Sequence, residues 1–337
     1  MREGLALRKA VAPYMQEDRG RTWRLFAVTV SSCLLAGAGV VWSPPWLALP
    51  LSLLLGLLYV RLFIFYHDAL HGALFRGSRL GMAFMHAVGW WLLAVVSVWR
   101  ETHDYHHQHN AKLVGSAIGS YPVVTLGMWR GMSPRQRLAY RALRHPLTIL
   151  AGYFTLFVVG MGLAPFRRQP ARHWQGVAAL LAHLLWVAAA VALLGWWRGL
   201  LLSVVPLMVA QALGSYLFFA QHNFPSMELR ERRQWDYEFA ALRSSSMFDM
   251  PGWMHWFTGN IGYHHVHHLN HRIPFYRLPE AMREVVELQR PGRTSWRVQD
   301  VRACLSLAVW DPARGRMLTY SELADAGAQG QPQLAHS

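Results

Sequence analysis

The sequence predicts an all-α integral membrane protein with four transmembrane helices in two hairpins, interfacial or re-entrant helices, and a cytoplasmic helical cap that carries a dimetal site. Three observations favour this fold class. Of the 337 residues, 53% are hydrophobic, and they are concentrated in almost uncharged runs of about 20 residues, which is bilayer length. Arginines flank these runs, and clustered histidines follow several of them.

The excess of positive charge indicates contact with a membrane surface rather than with nucleic acid. The chain has 33 Lys and Arg against 18 Asp and Glu, a formal net charge of +15. Because the arginines lie beside apolar runs, they match the positive bias of cytoplasmic segments, and we expect lipid headgroups as their partners. Cys33 lies in an apolar run and Cys304 near the end of the chain, so neither a disulfide framework nor a thiolate metal site is expected.

The chain begins with a predicted cytoplasmic segment, residues 1–24, which carries six Arg and Lys and lacks a signal-peptide cleavage pattern. A membrane domain is predicted to follow over residues 25–222. Its first two apolar runs, 25–42 and 46–65, are separated by a three-residue Ser-Pro-Pro break at 43–45. That break has no room for a domain, so the runs are predicted to form a hairpin with an outward-facing turn.

Three groups of histidines have helical spacing. Each residue of a helix advances by about 100°, so residues at i, i+3 and i+4 share a face. Eight imidazoles on three such faces are too many ligands for one ion, yet they suit two ions that keep open positions. Without metal, so many packed rings would leave donors and acceptors unpaired. The predicted ligands form box 1 (His67, His71), box 2 (His103, His106, His107) and box 3 (His264, His267, His268).

Two further apolar runs are predicted not to cross the bilayer. If residues 82–99 crossed, His103 would lie on the opposite side of the membrane from His67, and one site could not contain both. We therefore interpret this run as interfacial or re-entrant. Residues 147–164 precede a basic loop at 167–172, which positive-inside bias keeps cytoplasmic, so this run is also predicted not to cross.

The second crossing hairpin is predicted to consist of residues 176–194 and 199–219, with a short outer turn at 195–198. It ends at a Gln-His pair on the same side of the membrane as the three boxes. His222 is therefore predicted as a ninth ligand, the alternative being a hydrogen-bonded histidine at the interface. All metal candidates then lie on the cytoplasmic side of a four-span protein.

The predicted cytoplasmic cap covers residues 223–318 and contains box 3. Residues 280–289 and 298–309 resemble short amphipathic helices that would cover the site or lie on the bilayer surface. Residues 319–337 are predicted to be a disordered tail, because they are rich in Ala, Gly and Gln.

For several residues beside the boxes, the sequence has to be weighed for a role in metal binding. His109 and His265 fall off the shared faces and are not predicted as ligands. His271 would return to the box 3 face if the helix continued, which the following proline makes doubtful. Asp68 and Asp104 each follow the first histidine of a box. They are either acceptors that fix a histidine tautomer or ordinary solvent-facing or capping residues.

The boxes and their flanks resemble the membrane fatty acid desaturases, most closely the bacterial acyl-lipid type. Gly259 and Asn260 precede box 3, an Arg-Ile-Pro-x-Tyr motif follows it, and the resemblance covers about residues 45–280. It implies two non-haem irons, O2 as co-substrate, and a cis double bond as the product in a long, lipid-linked acyl chain. The ligands that it implies are His67, His71, His103, His106, His107, His222, His264, His267 and His268.

The resemblance leaves two alternatives and implies a partner. Membrane hydroxylases and ketolases acting on lipids, alkanes or carotenoids have similar boxes, whereas a metal transporter would need its ligands near the midplane of its spans. The chain lacks a cytochrome b5 His-Pro-Gly-Gly motif, a Gly-x-Gly-x-x-Gly motif and a cysteine set for an iron–sulfur cluster. We therefore expect an external electron donor such as ferredoxin or flavodoxin, bound by the excess arginine, and a location in the bacterial inner membrane.

Overall fold

The fold is given by a computed structural model that describes residues 2–112, 120–231 and 233–323. Most of these residues are helical. The α-helices are α1 (Gly4–Val11), α2 (Arg19–Trp42), α3 (Pro45–Leu70), α4 (Arg79–Trp91), α5 (Val96–His109), α6 (Leu126–Gly131), α7 (Pro134–Leu143), α8 (Pro146–Leu150), α9 (Ala164–Arg168), α10 (Pro170–Ser203), α11 (Val205–Gln221), α12 (Tyr237–Arg243), α13 (Gly252–Phe257), α14 (His264–Leu269), α15 (Leu278–Glu284) and α16 (Val298–Ser306). Three short segments are 3₁₀-helices: Ala12–Met15, Phe275–Arg277 and Val286–Leu288. Residues Tyr153–Leu163 form a π-helix. The strands are β1 (Met247–Asp249), β2 (Arg293–Ser295), β3 (Leu307–Asp311) and β4 (Arg316–Thr319).

The first predicted hairpin consists of α2 and α3. They have 24 and 26 residues, so each is about 36 to 39 Å long and can cross a bilayer. Helix α2 begins at Arg19 rather than at residue 25, because the Asp18 carboxylate accepts a hydrogen bond from the Arg21 backbone N–H and caps the helix. Pro45 opens α3 at a position where its missing N–H costs nothing.

The second hairpin lies within a single apolar stretch, Pro170–Gln221. Its 52 residues would be about 78 Å long if straight, twice what a bilayer needs. The chain instead reverses at Gly195, whose φ of 75° and ψ of 162° are not helical. After the reversal Gly199 lies against Val191, and a Cβ on Gly199 would be 2.6 Å from the Val191 Cα. The stretch is therefore two antiparallel arms, as the sequence predicts.

The two hairpin turns lie side by side. The Arg198 guanidinium, in the second turn, donates hydrogen bonds to the carbonyl oxygens of Val40 at 2.8 Å and Ser43 at 2.6 Å, at the first turn. Both turns are thus at one end of the bundle. His67 is at the other end of α3, more than 20 residues or about 30 Å away from Pro45.

Helices α4 and α5 are bent relative to each other by 93° and together form a fourth candidate span or a re-entrant pair. The bend includes Leu93, which has a positive φ of 58°. Helix α4 begins shortly after box 1, and α5 brings His103 back to within 2.9 Å of His67. The pair therefore returns to the end of α3 from which it started, which is the geometry that the re-entrant prediction requires.

The apolar run 147–164 forms α8 and the π-helix, and it is not among the candidate spans of the described residues. An 11-residue π-helix is unusual, since such segments are mostly single turns at functional sites. Gly152 lies against α11, where a Cβ would be 2.1 Å from the Ser215 Oγ. That residues 147–164 do not cross the bilayer stays a prediction.

A buried cation within α3 joins the spans to the cap. The Arg61 guanidinium is 3% exposed and donates a hydrogen bond to the Thr29 hydroxyl of α2 at 3.0 Å. It also donates to the carbonyl of Trp256 in α13 and lies 4.1 Å from the centre of that indole ring. These partners satisfy a charge that would otherwise be costly at this depth.

The cap contains strands, which the all-helical prediction did not include. Strand β1 pairs with β2 in parallel, and β3 pairs with β4 antiparallel. The predicted helix 298–309 ends at Ser306. The five residues that follow are buried as strand β3, and four of them pair with β4. The predicted helix 280–289 is interrupted at Val285, which is extended.

The β3–β4 hairpin packs on a part of the chain that precedes the second hairpin. Val124, Trp129 and Tyr140 form a hydrophobic cluster with Val309 and Leu318, among others. The cap therefore includes α6 and α7 as well as the predicted residues 223–318.

The start of the predicted tail belongs to the cap. Thr319 ends β4 and Leu323 is buried, so residues 319–323 are ordered against the hairpin. Residues 324–337 of the predicted tail lie outside the described residues.

The basic N-terminal segment packs on the cap. Arg2 pairs with Glu287 at 2.8 Å, and the Tyr14 hydroxyl donates a hydrogen bond to the Glu284 carboxylate at 2.8 Å. Arg277 donates to the Pro13 carbonyl at 3.1 Å. Part of the arginine excess that the sequence assigns to lipid headgroups is therefore bound within the protein.

The predicted orientation can be tested with an impermeant thiol reagent on intact cells. Trp196 is in the outer turn and 68% exposed, so we expect W196C to react from outside, whereas R168C should react only after lysis. The native Cys33 and Cys304 are at least partly buried, and the protein without introduced cysteines measures their background. Reaction of R168C from outside would show that residues 147–164 cross the membrane and would rule out four spans.

Candidate metal centre

Four segments bring the predicted ligands together. The last turn of α3 contributes box 1, α5 contributes box 2, α14 contributes box 3, and His222 follows the last residue of α11. All nine histidines meet at one end of the membrane bundle, and all but His71 and His222 are at most 5% exposed.

The nine histidines divide into two groups. In each group one ring nitrogen per residue lies within 4.8 Å of all the others, a spacing that can hold a metal ion. The division does not follow the boxes, because boxes 2 and 3 each contribute to both groups. Group A consists of His67, His71, His103, His107 and His267, and group B of His106, His222, His264 and His268.

Group B forms a closed ring of four Nε2 atoms. The consecutive distances are 3.1 Å from His106 to His222, 2.8 Å from His222 to His264, 3.1 Å from His264 to His268 and 3.3 Å back to His106. A neutral ring nitrogen has one proton or one lone pair, so it cannot satisfy two such neighbours by hydrogen bonding. The centre of a square with these sides is about 2.2 Å from each corner, close to the usual distance from a metal ion to a histidine nitrogen.

Group A has the same short spacing. Its Nε2 atoms are separated by 2.9 Å between His67 and His103, 3.2 Å between His103 and His107, and 3.1 Å between His107 and His267. The fifth member, His71, has a buried Nε2 with no hydrogen-bond partner among the described residues. Because an unpaired buried nitrogen is costly, both groups fit metal ions better than a metal-free cluster.

The histidines are in the protonation state that binds metal. Burial lowers the pKa of His264, His267 and His268 well below the ordinary value, and lowers the pKa of His222 to about 4. At neutral pH these rings are therefore uncharged and can present a lone pair to a metal.

Neighbouring groups orient two of the rings. The Asp68 carboxylate is 3.0 Å from the His67 Nδ1, and its other oxygen accepts a hydrogen bond from the Phe275 backbone N–H at 2.7 Å. The His222 Nδ1 is 3.2 Å from the Ser244 carbonyl oxygen. These contacts occupy the Nδ1 atoms of His67 and His222 and leave their Nε2 atoms free to bind metal. Of the two interpretations of Asp68, its position fits that of an acceptor that fixes the tautomer of a metal-binding histidine. Asp104 is half-buried and shows no hydrogen bond to a box histidine among the described residues.

The histidines outside the shared faces lie outside both groups. The His109 ring stacks on Tyr105 with centroids 3.9 Å apart, and the His265 Nε2 is 3.0 Å from the Leu288 carbonyl oxygen. His271 is the exception that the sequence leaves open. It belongs to neither group, yet its ring centroid is 4.6 Å from that of His71.

An apolar cavity of about 350 Å³ reaches both groups. His67 and His103 of group A and His264 of group B form part of its wall. Along α3 the cavity continues to Tyr59, eight residues or about 12 Å further into the bundle. Other walls come from α11 and the π-helix, including Phe157, Gly160, Gly214, Leu217 and Phe218.

These wall residues are not identified by the sequence patterns. The signal that could have indicated them is glycine within apolar helices. Gly214 lines the cavity, and a Cβ added there would meet no atom within 4 Å. The exposed residues Leu143 and Gly160 also line the cavity, so its mouth lies beside α7 and the π-helix.

Comparison with known proteins gives consistent matches. The family model described as fatty acid desaturase matches residues 44–299. The chain is 31% identical over 253 residues to a fatty acid desaturase of Bacillus subtilis (strain 168), covering 72% of this chain and 71% of the relative. It is 22% identical over 264 residues to an sn-1 oleoyl-lipid 12-desaturase of Picosynechococcus sp., covering 77% of this chain and 75% of that protein.

Proposed function

Because this chain belongs to the fatty acid desaturase family, we propose that it uses O2 at a non-haem di-iron centre to introduce a cis double bond into a long, lipid-linked fatty acyl chain. The observation that carries this proposal is the apolar cavity whose wall includes His67, His103 and His264. A chain lying in it would pass both histidine groups.

The two groups would each hold one iron, group A through His67, His71, His103, His107 and His267 and group B through His106, His222, His264 and His268. Bound iron would supply, together with O2, the oxidising power that acid–base groups lack toward an unactivated methylene C–H bond. Overall, the acyl chain loses two hydrogen atoms, the enzyme takes up two electrons and two protons, and O2 leaves as two waters.

The protein's own residues would position the chain and exclude water. Phe63, Leu217 and Phe218 give the cavity an apolar wall beside the histidines, so methylenes rather than polar groups are held there. Desaturation requires the second hydrogen to lie close to the oxidant after the first is removed, which is a question of placement within the cavity. Asp68 would keep the His67 ring fixed through its Nδ1.

The lipid-linked substrate is supported by the Picosynechococcus relative, whose name specifies an oleoyl lipid. A mouth lined by the exposed Leu143 and Gly160 suits an acyl chain whose carrier stays at the membrane. The positive bias of residues 1–24 and of the loop at 167–172 supports a bacterial inner-membrane protein with its centre on the cytoplasmic side. The electrons would come from a separate carrier such as ferredoxin or flavodoxin.

Expression in a host with saturated membrane lipids tests the proposed reaction. We expect new acyl chains that are lighter than their precursors by two hydrogen atoms and have a cis double bond, measured by mass spectrometry of methyl esters. Cells expressing a ligand variant such as H103A are the control and should contain none. Hydroxylated chains or oxidised carotenoids without lighter acyl species would place the protein among hydroxylases or ketolases. Metal uptake without any change in lipids would indicate a transporter.

A further inference from the structure

His271 contacts the metal centre without belonging to it. The ring follows α14 and is only half-buried, so one edge reaches the protein surface. Its centroid is 4.6 Å from that of His71 and 5.0 Å from that of His107, both members of group A. Its Nδ1 is buried and has no hydrogen-bond partner among the described residues. The His271 ring thus lies between the protein surface and the rings of group A, in contact with two of them.

This contact is on a different side of group A from the acyl cavity. The cavity wall includes His67 and His103 but neither His71 nor His107, the two rings that His271 contacts. The proposed reaction needs two electrons per turnover, and their carrier cannot approach through a cavity filled by the acyl chain. An approach at His271 would leave the substrate path free.

The surface around His271 is positively charged. Arg272 is the next residue, and Arg76 is exposed in the loop that follows His71. Neither side chain forms an ion pair among the described residues. Glu17, whose carboxylate accepts a hydrogen bond from the Phe75 backbone N–H in the same loop as Arg76, is paired with Arg19 at 2.9 Å. The unpaired arginines favour a partner with an acidic surface.

The surface is also open at the backbone. Gly72, directly after His71, has a positive φ of 69°, and a Cβ added there would meet no atom within 4 Å. We define the donor face as His71, Gly72, Arg76, His271 and Arg272.

We propose that the donor face docks a small acidic one-electron carrier protein and that electrons enter group A through the His271 ring. The carrier is oxidised by one electron in each of two encounters, and the bound metals are reduced. This inference rests on the proposed function for its need of electrons, but the reduction step can be measured without an acyl substrate.

The experiment follows reduction of the purified, iron-loaded, full-length protein without O2 or acyl chain, by absorbance, with reduced acidic ferredoxin or with dithionite as reductant. We expect R272E to slow reduction by ferredoxin about tenfold or more at low salt. The effect should be smaller at high salt, because dissolved ions screen the attraction between the arginine and an acidic partner. H271A should slow it at both salt concentrations. Both variants should keep wild-type iron content and a wild-type rate with dithionite.

R290E is the matched control, since Arg290 is exposed and its charge reversal lies outside the donor face. It should leave the ferredoxin rate unchanged. Wild-type ferredoxin rates in R272E and H271A would overturn the proposal, as would an equal loss in R290E. Loss of iron from H271A would make His271 a ligand and also overturn its role as the entry point. Wild-type protein that accepts electrons here yet forms no double bond would contradict the proposed function and leave the donor face intact.

Discussion

Replacing His264 by alanine is expected to abolish desaturation and to lower the metal content of the purified protein. His264 is one corner of the closed Nε2 ring of group B, 2.8 Å from His222 and 3.1 Å from His268, and it also lines the apolar cavity. Loss of an outer-shell partner typically costs 10- to 100-fold in metal affinity or activity, so loss of a direct ligand should cost at least about 100-fold. Elemental analysis of metal per chain and acyl-chain analysis measure the two effects.

Two histidine variants separate ligand loss from general damage. His265 is adjacent to His264 and fully buried, but its Nε2 is 3.0 Å from the Leu288 carbonyl oxygen outside both groups. H265A should therefore lower the melting temperature while each folded chain keeps its metal. His86 is exposed on α4, and H86A should change neither property. Normal metal content and normal product in H264A would show that group B is not a metal site.

The members of the two histidine groups could be predicted from the sequence, but their division could not. Helical spacing places the histidines of box 2 on one face of α5, and this holds in the structure. Which ring faces which ion depends on how α5 and α14 cross, and here His106 joins group B while His103 and His107 join group A. Contacts between residues more than 150 positions apart decide this, such as that of His107 with His267, and no local period contains them.

The cap shows a similar limit. In the first part of residues 298–309, Val298, Val301 and Leu305 have the three- to four-residue spacing that suits a short amphipathic helix, and this part, to Ser306, is helical. The next five residues form β3 because burial against Trp129 and Tyr140 and pairing with β4 stabilise a strand there. These partners are far away in sequence, so local propensity does not reveal them.

The apolar runs of the sequence predict the candidate membrane helices, but they do not predict the cavity that some of these helices line. Hydropathy identifies residues 147–164 as apolar without showing that they form a π-helix or that this helix lines a cavity with α11. The cavity is lined by glycines such as Gly160 and Gly214 as well as by large side chains, and it is visible only when the helices are packed. The most direct test of that space is to fill it.

Gly214→Phe is expected to block turnover of long acyl chains while the metal content stays at the wild-type value. Gly214 is on α11, seven residues or about 10 Å before Gln221, which lines the cavity beside the metal centre. A Cβ there meets no atom within 4 Å, and the residue lines the cavity, so the position has room for the start of a larger side chain directed into that space. That side chain would occupy volume that the acyl chain needs, and we expect activity to fall to a few per cent or less of wild type.

Two control variants accompany Gly214→Phe: one has a smaller side chain at the same position, and the other has the same side chain at an exposed position. Gly214→Ala adds one methyl group to a helix, where alanine is about 1 kcal/mol more favourable than glycine, so it should keep the fold and most activity. Gly131→Phe adds the same benzyl group at the exposed end of α6, where a Cβ also meets no atom within 4 Å, and should leave activity unchanged. Acyl-chain analysis and metal content together decide the result. Because Gly214 lines the cavity, normal desaturation in a G214F protein with normal metal would mean that the acyl chain reaches the centre by another route.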